Sequence, residues 1–240
     1  MATGNPKPNY YIGPELTSAT LSSLNGLYHG GDVAPAKKFL HKISLWLSGT
    51  TIQVNGIICD YLMYYPLVDM DSVDEQFMTN TVPLPRYASG EGVMAILVAT
   101  NPYVGGALFT LNYTNSDGTA GRQTIPVATN TRTNIGTVLQ GDNAVTWPFI
   151  PLARGDRGIR SVESITFMAP NGGLAALVLV KPLATFTLPS TACFREVDFA
   201  KDLPSLPQIQ DGAYLGMFVG NTATSIANNV LIGDITTIWN

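Results

Sequence analysis

The chain has 240 residues, of which 45% are hydrophobic and only 12% charged, with a formal net charge of −4. That length buries enough surface for a core without metals or disulfides, and the apolar content is too high for disorder. Seventeen acidic against thirteen basic side chains exclude an electrostatic nucleic-acid binder, which needs clustered Lys and Arg.

Residues 1–40 read as an arm, with Pro6, Pro8 and Pro14 at its start and Gly26, Gly30, Gly31 and Pro35 further on. Leu16 to Leu27 predicts one short helix, capped by Thr17 or Ser18. The arm cannot fold alone and must lie on its own body or on a neighbour's. The body, residues 41–189, opens with a strand over Ile43–Leu47 and another over Thr51–Val54, then a turn at Asn55-Gly56. Gly56 to Pro66 predicts a further strand, and Val93 to Thr100 one buried on both faces. In Ala107–Thr114, Phe109, Leu111 and Tyr113 share one face. Asn115-Ser116-Asp117-Gly118 then turns a hairpin, with Gly121–Ala128 as the returning strand. Pro148 and Pro151 around Phe149-Ile150 suit an edge strand. Val162–Ala169, with Ile165 and Phe167 inward, and Leu174–Val180 predict a second hairpin, turned by Asn171-Gly172-Gly173. Residues 190–240 form a C-terminal extension whose Asp234–Trp239 predicts a final strand, paired with this subunit's sheet or another's. The fold class is therefore all-β, a β-sandwich or jelly-roll-like body with extended N- and C-terminal arms.

Chemistry-bearing residues are sparse. His29 and His41 are the only histidines and both read as structural, because a nucleophile–base device needs a rigid, oriented third partner. With Cys59 and Cys193, they are too few and too separated for zinc, and the two thiols are expected not to bridge. The acidic stretch Asp69-Met70-Asp71-Ser72-Val73-Asp74-Glu75 is the best candidate for a cation or for catalysis. An EF-hand starting at Asp69 would need Gly and Glu where Asp74 and Asn80 stand, so a solvated loop is the expected reading. Arg154-Gly155-Asp156 spells an adhesion tripeptide but reads as a polar turn. No catalytic, cofactor-binding or metal residue is therefore assigned, and a non-enzymatic protein without cofactor is expected. Neither a signal peptide nor a run of about 18 apolar residues is present, so no membrane span is expected. Tyr10, Tyr11, Tyr28 and Trp239, aromatics of the arm and tail, are the candidate subunit-contact anchors. A surface so poor in charge is most simply covered by assembly.

Several blocks, in order, resemble tailed-bacteriophage virion structural proteins. They are Asp60–Asp69 (DYLMYYPLVD), Leu84-Pro85-Arg86-Tyr87 with Gly90-Glu91-Gly92-Val93, and Leu111–Asn115 with Gly118–Arg122. Pro148–Leu152, Gly155–Val162 and Leu177–Leu183 complete the set. Together they span roughly residues 56 to 185. The resemblance implies a virion component assembled in the bacterial cytoplasm, most simply a capsid decoration or cement protein. Its expected partners are the major capsid protein and other copies of itself, as a homotrimer, with no direct nucleic-acid or membrane contact. The alternative is a tail, baseplate or fibre component that binds host glycans, marked by a shallow Trp or Tyr platform on an exposed loop.

Overall fold

The computed structural model describes residues 11–23, 26–48, 53–130, 135–139, 148–188, 193–221 and 230–240. Its elements are β1 (Ala19–Thr20), β2 (Lys38–Ser48), β3 (Val54–Asp69), β4 (Gln76–Phe77), β5 (Met94–Ala99), β6 (Leu108–Asn115), β7 (Arg122–Gln123) and β8 (Val127–Ala128). After these come β9 (Ile159–Phe167), β10 (Leu174–Leu188), β11 (Phe194–Asp198), a one-turn helix α1 (Phe199–Asp202), β12 (Gln208–Ile209), β13 (Leu215–Asn221) and β14 (Val230–Trp239). The protein is all-β, in antiparallel sheets, as its short apolar runs and turn residues require.

Two long strands organise the rest. β3 and β10 pair antiparallel along almost their whole length, from Leu174 opposite Asp69 to Leu188 opposite Val54. β5 adds to the far side of β10, and β1 and β13 add to β3, giving the central sheet. Nearly every residue of β3 is buried, so Ile57, Ile58, Tyr61, Leu62, Tyr64 and Tyr65 can follow without alternating with polar residues. One half of the central sheet packs on a second sheet of β4, β9, β6, β7 and β8. Leu62, Tyr65, Leu97 and Leu177 there meet Phe109, Leu111, Tyr113, Ile165 and Phe167 in one core. That is the sandwich body. The other half supplies Val54, Ile58, Ala184, Phe186 and Leu188 to a second core against a third sheet, β11, β2, β12 and β14. Both C-terminal strand segments therefore pair within this chain, β13 with β3 and β14 with β2.

Four local expectations are corrected. Residues 14–22 are not helical: Leu16 has φ 50°, and Ser18 and Leu21 donate their N–H groups to Thr79 and Leu62 carbonyls at 2.9 Å each. A helix of about a dozen residues is marginal in isolation, and backbone pairing with the body, plus burial of Tyr11 and Leu21, outweighs it. Asn55-Gly56 is not a turn but part of β3. A Cβ on Gly56 would lie 1.9 Å from the Phe186 ring on the neighbouring strand, so glycine serves close packing there. β9 and β10 do not form a hairpin ladder: Asn171-Gly172-Gly173 carries the chain from one sheet to the other, with φ of 65° and 75° at the glycines. Phe149 and Ile150 are fully buried plugs rather than an edge strand, with the Ile150 N–H donating to the Ala95 carbonyl at 2.9 Å. The Asn115–Gly118 turn forms as expected, Asn115 Oδ1 accepting from the Asp117 and Thr119 N–H groups.

Candidate functional site

The third sheet carries the largest concentration of exposed apolar side chains on regular structure. In β2, Ile43 and Leu45 point into the second core while Lys42, Ser44 and Trp46 alternate onto the outer face. Directly opposed residues of antiparallel strands share a face. Trp46 pairs with Phe194 on β11 and Ile232 on β14, so these three form a row across three strands. They are 41%, 66% and 56% exposed. Glu196, Ser44 and Asp234 form the next row, then Asp198, Lys42 and Thr236. Lys42 Nζ lies 2.9 Å from Glu196 Oε2, and His41 Nε2 lies 3.6 Å from Asp198 Oδ1. Past a one-residue bulge at His41, Ile238 pairs with Phe39 and closes the face with a second apolar row. Gly233 lets β14 lie tight on β2, because a Cβ there would meet the Ser44 carbonyl oxygen at 2.1 Å. An apolar row on a solvated sheet face is a recognition feature rather than a packing one.

The expected anchors fall in different places. Tyr10 lies outside the described residues. Tyr11 is buried, its ring centroid 5.2 Å from that of Tyr64, in a cluster with Leu21, Cys59 and Tyr61. Burial pushes its hydroxyl pKa well up, so Tyr11 fixes the N-terminal segment to its own body. Tyr28 and Trp239 are strongly exposed, and Trp239 lies at the end of β14, on the sheet that carries the apolar row. Sequence reasoning did not single out Trp46 or Phe194. The signal was present for Trp46: it shares strand parity with the polar Lys42 and Ser44, not with Ile43 and Leu45.

The remaining candidates are occupied by structural roles. His29 Nε2 donates to the Ala213 carbonyl at 2.9 Å, which leaves Nδ1 to accept from Lys38 Nζ at 3.3 Å. Lys38 also donates to the Gly30 and Gly31 carbonyls, so three acceptors receive its three protons. Asp71, Asp74 and Glu75 are exposed. Glu75 Oε1 accepts from Ser164 Oγ and Asn112 Nδ2, and Asp71 Oδ1 from the Gly172 N–H. Among the described residues no three His, Cys, Asp or Glu side chains converge as a metal-binding group. Asp156 of the adhesion-like tripeptide is sequestered, taking hydrogen bonds from Tyr113 Oη (2.6 Å), Arg122 Nε and Asn115 Nδ2 (both 2.9 Å). Burial alone would raise its carboxyl, but these donors and the Arg122 charge outweigh it and hold the pKa at about 2. No disulfide joins Cys59 and Cys193, and no helix among the described residues is long and apolar enough to cross a membrane.

Comparisons with protein families, with curated proteins and with solved structures find no match to this chain.

Proposed function

We propose that the protein is a non-enzymatic structural component of a tailed-bacteriophage virion. On the head, it decorates the capsid and stabilises it by bridging neighbouring subunits of the major capsid protein. One observation carries the reading: a β body with few charges presents Trp46, Phe194, Ile232 and Ile238 to solvent on the outer face of the third sheet. Such a face gains free energy when another protein covers it. The low charge limits repulsion between many copies on one particle. Neighbouring copies of the same chain are natural co-partners, and a trimer seated on a threefold position of the shell is the arrangement this role favours.

The test is co-sedimentation of the full chain with phage heads that lack it, beside a Trp46→Ser/Phe194→Ser variant. Truncating residues 1–38 would be a poor control, since it strips Tyr11 and Leu21 from a core. Saturable binding at a fixed copy number, weakened at least tenfold by the double variant, supports the reading. Absence from heads, with the protein recovered on isolated tails, overturns it in favour of a tail or fibre role.

A further inference from the structure

We propose that two copies of the chain pair through the outer edge of β14, antiparallel, about a two-fold axis at Ile235. β14 has ten residues and pairs with β2 along one edge only; among the described residues no strand pairs with the other. An exposed strand edge of that length is a template for another strand.

Among the registers that overlap β14 most fully, its sequence favours one for pairing with a second copy. A two-fold axis perpendicular to the sheet keeps the outer face outward, so outward residues must oppose outward residues and the centre must fall on a residue. Centring on Asp234 sets that carboxylate against its own copy, which is unfavourable. A Thr236 centre sets Asp234 against Ile238 and shortens the ladder. With Ile235 as centre, Ile232 opposes Ile238 of the second copy and Asp234 opposes Thr236 on the outer face, and Leu231 opposes Trp239 on the other, in both directions. The pairing also completes the outer face. Phe194, Trp46 and Ile232 lie at one end of the sheet, and Ile238 and Phe39 at the other. In the pair, the row runs on without a break from Phe194, Trp46 and Ile232 of one copy to Ile238 and Phe39 of the second. Trp239, 64% exposed in the single chain, gains Leu231 as its cross-strand neighbour. β14 brings no like charges together, since Asp234 is its only ionisable side chain.

Ten residues a side is less than the 20–30 of a standard interface, so the dissociation constant should be on the order of micromolar. The contact is two-fold, so it closes a pair, and a trimer would need a different contact. It rests on register and charge, not on the virion reading: failure of head binding leaves it intact, and its own failure leaves head binding intact.

The test is sedimentation equilibrium of the full chain from about 1 to 100 µM, spanning the expected affinity, with Thr236→Glu and Thr236→Lys variants. Thr236 is exposed, so neither substitution disturbs the core. Thr236→Glu sets two carboxylate pairs against each other across the axis, while Thr236→Lys sets a cation against each Asp234. The expected result is reversible pairing of the wild type, weakened about tenfold or more by Thr236→Glu and tightened by Thr236→Lys. Single chains throughout would overturn the proposal and leave the edge to a different protein. So would an assembly of any order on which the two variants act alike.

Discussion

Asp60 is a carboxylate with no exposed side-chain surface, on β3 between Ile58 of one core and Leu62 of the other. Burial pushes its pKa up, while Arg86, donating twice at 2.8 Å, and the Tyr214 N–H at 3.1 Å favour the charged form. Arg86 also donates to the Tyr61 carbonyl, so it ties the 84–87 loop to the central strand. Removing one partner of a buried pair costs about 3–5 kcal/mol, whereas replacing both with apolar groups is often near neutral. Arg86→Met should therefore lower the urea midpoint sharply, and Asp60→Leu combined with Arg86→Met should restore much of it; equal loss in both would show that the pair itself is the source of stability. Asp156 works in the opposite sense. Its folded pKa of about 2 lies below the unfolded value of about 3.9, so its contribution is fully present above about pH 4 and is lost as pH falls towards 2. Asp156→Asn should be less stable at pH 7, and its stability should fall less between pH 4 and 2 than the wild type's. Tyr11 makes a third case: its buried hydroxyl has no hydrogen-bond partner among the described residues. Tyr11→Phe removes a desolvated polar atom and should leave the thermal midpoint unchanged or raised, which a scanning calorimeter reads directly.

At the scale of elements, the N-terminal segment is a strap across the central sheet rather than a free arm. β1 lies on Tyr64 and Met63 of β3, and Leu21 and Tyr11 belong to the same buried cluster as Cys59 and Tyr61. Burying each such side chain contributes about 1.5–3 kcal/mol. In the full chain the fully buried Cys59 should resist a maleimide while the part-exposed Cys193 reacts. A chain beginning at Ser23 should expose Cys59 to labelling; a protected Cys59 in a folded truncation would show that the strap is not its cover. Most strands were legible because β periodicity and turn chemistry are local: Phe109, Leu111 and Tyr113 alternate inward, and Asp117-Gly118 closes its hairpin. The strap was not, because Leu16–Leu27 has helix-like spacing and only the body's unpaired carbonyls redirect it. Gly56 failed for the same reason. Asn-Gly signals a turn, and the Phe186 ring that claims the space lies 130 residues further on. The outer row was half legible. Strand parity exposes Trp46, but only the β11–β2–β14 register brings Phe194 and Ile232 beside it.

For the molecule as a whole, low charge and an exposed apolar sheet point to the same kind of contact. Surface ion pairs are screened over about 10 Å at 0.1 M salt, so an interface built on them weakens steeply as salt rises. Here Lys42 is already committed to Glu196 within the chain, and the exposed row of Phe194, Trp46 and Ile232 carries no charge. Apolar burial is not screened, and excluded salts strengthen it. Binding to heads should therefore persist from about 0.05 to 0.5 M sodium chloride and tighten in sulfate. A receptor-type contact through Asp71, Asp74 and Glu75, the most acidic exposed stretch, would instead weaken across that range. Co-sedimentation across the two salts separates them: loss of binding in sodium chloride would place the contact on the acidic loop of the sandwich body and remove the apolar face from the attachment. Retention in chloride, with loss in the Trp46→Ser/Phe194→Ser variant, would tie attachment to the third sheet. That sheet packs on the half of β3 and β10 that lies outside the sandwich, so a contact made there rests against the longest ladder of the fold.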